Sequence, residues 1–64
     1  MIVTIQTSTP SGKTAGLWQA SVMMGLETEN HIGNTFDVIV HRQDKLEALL
    51  RKCGGRVIAT RHTA

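Results

Sequence analysis

Ser11-Gly12-Lys13-Thr14 holds the residue types that end a phosphate-binding loop. In such a loop the lysine reaches the β/γ oxygens, the threonine hydroxyl holds magnesium and glycine lets the backbone approach. The full spacing also requires a glycine five residues before Gly12, and Thr7 stands there. Pro10 removes one amide from the would-be cradle, and Asp37 falls near the beginning of its strand rather than at the end. The stretch reads as a polar turn, and no cofactor is expected.

Metal and acid–base chemistry fare no better. Glu27, Glu29, His31 and His41 offer oxygen and nitrogen ligands, but zinc needs three or four convergent ligands on rigid elements. Three of these four sit in one polar stretch, so no metal site is expected. Asp37 and His41 share a strand face at a separation of ~13 Å, too far to pair directly. Cys53 falls in a helical apolar stripe and reads as a small core residue rather than a reactive thiol. No Ser–His or Cys–His pairing points to a nucleophile. The chain reads as a non-enzyme.

Charge is distributed unevenly. Before residue 42 Lys13 stands alone against Glu27, Glu29 and Asp37; from Arg42 onward six bases face only Asp44 and Glu47. Arg42, Arg51, Lys52, Arg56, Arg61 and His62 are therefore the candidates for a nucleic-acid contact. Trp18 and Phe36 are the only aromatic residues, too few for single-strand binding by stacked rings.

These residues must be positioned by a single small domain spanning residues 1–64, 41% hydrophobic with net charge +2. One cysteine excludes an internal disulfide. No stretch approaches the ~20 apolar residues that span a bilayer, and no signal-peptide pattern opens the chain. A cytoplasmic protein without membrane contact is expected. Chains this small usually need a supplement to their core, so a homodimer is expected too.

The pattern predicts strands over Ile2–Thr7, Leu17–Met24, Thr35–Arg42 and Val57–Thr60. Residues 27–34 read as a long hairpin loop. Leu17–Met24 also fits a helical stripe of Leu17, Ala20, Ser21 and Met24; pairing with Thr35–Arg42 favours the strand. The helix follows Asp44, three residues before Glu47 as in a capping box. Leu46, Leu49, Leu50 and Cys53 form its stripe, Arg51 and Lys52 sit in its last turn, and Gly54-Gly55 ends it. The expected fold is α+β, a four-stranded mainly antiparallel sheet with one helix on one face, in the order β-β-β-α-β. Its other face would carry Leu17, Met23 and Ile39, an uncovered apolar surface of the kind that marks an interface.

No motif ties the chain to a family. The function expected is a small binding protein. It would be an inhibitor or accessory factor of phage or mobile-element type, covering a host enzyme or a bacterial immunity complex. Trp18, Met23, Ile39, Arg56 and Arg61 are the candidate partner contacts, since Trp, Met and Arg anchor most interfaces. The alternative is a small basic nucleic-acid-binding regulator using the C-terminal half.

Overall fold

The computed structural model describes residues 1–62. Alternating β-branched residues make Ile2–Gln6 strand β1 and send Val3 and Ile5 to one side, where both are fully buried. Thr9 then caps helix α1 (Pro10–Trp18), its hydroxyl accepting from the Gly12 N–H at 3.0 Å. Pro10 fits the first helical position because its ring presets φ and no donor is needed there. The helix widens into a π-helical turn over Gln19–Met23. Strands β2 (Thr28–Ile32) and β3 (Thr35–Ile39) form a hairpin around Gly33-Asn34. Helix α2 (Gln43–Cys53) ends at Gly54, whose φ of 66° is the left-handed conformation that glycine adopts without strain. Strand β4 (Arg56–Arg61) closes the chain.

The strand order is β2-β3-β1-β4, and every neighbouring pair is antiparallel. Two β-α-β units interleave in it, the split β-α-β topology. The α+β class and the four-stranded antiparallel sheet are as the sequence indicates. The element order is not. Leu17–Met24 is helical, residues 28–32 form the second strand instead of a loop, and Ser11–Thr14 lies in α1 rather than in a turn.

Packing explains the first correction. Leu17, Ala20 and Met24 turn their stripe toward the core, and Gly16 lets α1 press against its neighbours. A Cβ at Gly16 would stand 3.0 Å from Phe36 Cζ and 3.1 Å from Cys53 Cβ. The helix start also shifts. Arg42 takes the cap position without a side-chain bond, and Asp44 lies inside the first turn, where its charge suits the helix dipole. The capping box is not formed.

Both helices cover the same face of the sheet, and Val3, Ile5, Phe36, Val38, Leu46 and Leu49 make one core between them. Leu17 and Met23 belong to the helical layer, so the opposite face is not the apolar surface expected. Gly55 passes so close to β1 that a Cβ there would lie 2.6 Å from Ile5 Cγ2. Ile5 is fully buried and has nowhere to retreat. Urea denaturation of Gly55→Ala should therefore show a loss of about 1–3 kcal/mol, and Leu49→Ala a loss of about 2–5 kcal/mol. Losses near zero would mean that this layer is not packed as described.

Candidate functional site

The face without helices is organised by one carboxylate. Asp37, in the middle of β3, is only 5% exposed. Its Oδ1 accepts from the Thr4 hydroxyl of β1 at 2.6 Å. Its Oδ2 accepts from Asn30 Nδ2 of β2 at 2.8 Å and from Arg61 Nη2 of β4 at 2.6 Å. Asn30 is placed for this by a φ of 53°, an irregular position where the β2–β3 register shifts between Glu29 and Ile32. The bonds from Asn30 and Thr4 hold the Asp37 carboxyl below its ordinary 3.8; burial opposes them and the Arg61 charge adds to the lowering. With three donors on its two oxygens, this anion ties β3 to the other three strands.

A second feature stands on the helical side. Trp18, Val22 and Met23 are 52%, 63% and 59% exposed. Hydrogen bonding in the π turn runs from i to i+5, as in Met24 N–H to Gln19 O at 3.0 Å. That widening brings residue i+5 beside i+4 beneath residue i, so Val22 and Met23 both fall in the row below Trp18. The result is an exposed apolar ridge on α1 and its π turn.

The candidate contacts fall on different surfaces. Trp18 and Met23 lie in this ridge. Ile39 is half-buried beside Ile2 in the β1–β3 register, on the open sheet face with Arg56 and Arg61. The basic set divides as well. Arg51 and Lys52 stand in the last turn of α2, in the helical layer, and Arg56 opens β4 with its side chain on the open sheet face beside Gln6. Arg42, Arg61 and the exposed His62 belong to the other end of the sheet, and Arg42 and Arg61 pair with Asp44 and Asp37 at 3.3 and 2.6 Å.

The Gly12-Lys13-Thr14 segment forms no phosphate cradle. The Gly12 and Lys13 amides bond to Thr9, and Lys13 Nζ donates to the Gly33 carbonyl at 3.0 Å. Among the described residues no three His, Cys, Asp or Glu side chains gather to hold a metal ion, and no helix is long and apolar enough to cross a membrane. Comparisons with protein-family models, curated proteins and solved structures give no match for this chain.

The alternation of residues 35–42 sets Asp37 on the strand face it shares with His41 and carries no sign of its bonding partners. Its donors lie 33, 7 and 24 residues away, on three other strands, and only the register brings them together. Because the folded carboxyl titrates below its unfolded value, its stabilisation is complete above pH 3.8 and is lost as pH falls through the lower folded value. Asp37→Asn should be less stable than wild type at neutral pH, by about 1–3 kcal/mol. The gap should narrow on acidification in pH-dependent thermal melts. A gap constant with pH would show that the carboxylate is not charged and bonded as described.

Proposed function

We propose that this chain is a non-enzymatic binding protein, an inhibitor or accessory factor of phage or mobile-element type. It works in a reducing cytoplasm by covering part of a protein partner's surface. The observation that carries this reading is the Trp18–Val22–Met23 ridge. Three large apolar side chains left together in water forfeit burial worth about 25 cal/mol per Å². Trp is the residue most enriched among interface hot spots, and the unbranched Met adapts its shape to the surface it meets. The commitment of Asp37 to four strands favours a binding role over a catalytic one, since it removes the buried carboxylate from chemistry. A second copy seated on the same ridge, each subunit offering the identical patch, would form a homodimer that competes with that partner.

Affinity capture with the tagged protein, with and without nuclease, tests the proposal on wild type and on a Trp18→Ala, Met23→Ser double variant. A protein partner should survive nuclease treatment with wild type. The double variant should bind at least thirtyfold more weakly, about 2 kcal/mol, with an unchanged melting temperature. Light scattering on the same pair should show any dimer lost in the variant. Capture that disappears with nuclease, or that the double variant leaves intact, would overturn the assignment.

A further inference from the structure

Where β1 ends and β4 begins, Gln6, Thr7, Ser8, Asn34, Gly54 and Arg56 line an open cleft of ≈ 380 Å³. Arg56 is its cation. The guanidinium is steadied on Gln6 Oε1, to which Nη2 donates at 2.9 Å and Nε at 3.3 Å. Its remaining N–H groups stay available to a ligand.

The register collects more positive charge at this end. Arg51 and Lys52, both exposed, occupy the last turn of α2 just before Gly54. Lys13 reaches the carbonyl of Gly33, the neighbour of Asn34. No carboxylate is among the residues that line the cleft. Glu27 precedes β2, Glu29 and Asp37 face one another across the β2–β3 pair, and Asp44 and Glu47 belong to the first half of α2. Among the described residues Arg51, Lys52 and Arg56 carry no salt bridge, whereas Arg42 and Arg61 do.

We propose that this cleft and its basic rim bind the phosphate backbone of double-stranded nucleic acid. A lone small anion meets one guanidinium here. A polyanion meets several bases at once, and each phosphate neutralised releases condensed counterions. Arg56 is the anchor, with a fork that suits a phosphate and a position already fixed by Gln6. Arg51, Lys52 and Lys13 supply the rim, and Ser8 and Asn34 add neutral hydrogen-bonding groups that seat the backbone without reading bases. A duplex fits better than a single strand because this end offers no ring for stacking. Phe36 is buried, and Trp18 stands about 12 Å farther along α1 from Pro10.

Fluorescence anisotropy with a labelled mixed-sequence duplex of about 20 base pairs, titrated from about 50 mM salt upward, tests the proposal. Log affinity against log salt should fall with a slope of about −3 to −4 for wild type. Arg56→Ala should reduce that slope by about one, and an Arg51→Gln, Lys52→Gln double variant by about two, both variants melting like wild type. The corresponding single strand should bind more weakly than the duplex. Several results would overturn the proposal: no saturable binding at low salt, an unchanged slope in the variants, or equal affinity for the single strand. Displacement by polyglutamate as effective as by unlabelled duplex of equal charge would overturn it too, because it would point to an acidic protein surface.

Discussion

The Asp37 carboxylate touches every strand of the sheet. It sits in β3 and takes a hydrogen bond from β1, one from β2 and a charge-assisted bond from β4. On the helical face the strands are joined by a shared apolar core; on the other face the buried Asp37 carboxylate ties them through donors that reach it from the surface. Charge-assisted bonds are about twice as strong as neutral ones, and a donor left without its acceptor costs more than the bond was worth. The arrangement is therefore sensitive to loss of its centre. It also uses Arg61, and so takes from the open face a charge that would otherwise be free for a ligand.

The helical layer follows from the same economy of size. One sheet face and two short helices enclose a thin core, and two close glycine contacts set its spacing, one tight for a Cβ and one with no room for it. Gly16 sits against Phe36 and Cys53, and Gly55 sits against Ile5. Close packing at these points leaves the outer row of α1 and its π turn without a neighbour. Trp18, Val22 and Met23 are exposed there because the residues beside them, Leu17, Ala20 and Met24, already face the core. The apolar ridge and the basic cleft lie toward opposite ends of α1, so the two proposed contacts do not compete for the same surface.

Much of this frame is written in local patterns. Leu46, Leu49, Leu50 and Cys53 repeat at a spacing only a helix places on one side, and Gly54 stops it in the conformation the sequence implies. Phe36, Val38 and Val40 alternate with Asp37 and Ile39, and the first three are buried. Residues 17–24 satisfy both periods, and the choice between them is made by Gly16 meeting Phe36, a contact across twenty positions. Thr9-Pro10 was a local sign of a helix start, but it is also a common turn pair. Strand β2 has no apolar alternation because it is an edge strand, with Glu29, Asn30, His31 and Ile32 all exposed. The basic cleft was visible only as a bias toward the C-terminal half; its division into two ends depends on the antiparallel register.

Amide hydrogen exchange of Asp37→Ala against wild type tests most directly whether this carboxylate binds the edges to the centre. The account predicts that hydrogen-bonded amides of β2 and β4 lose protection by at least about tenfold more than those pairing β1 with β3. Edge strands that keep their wild-type protection, or a loss spread evenly over all four strands, would contradict it.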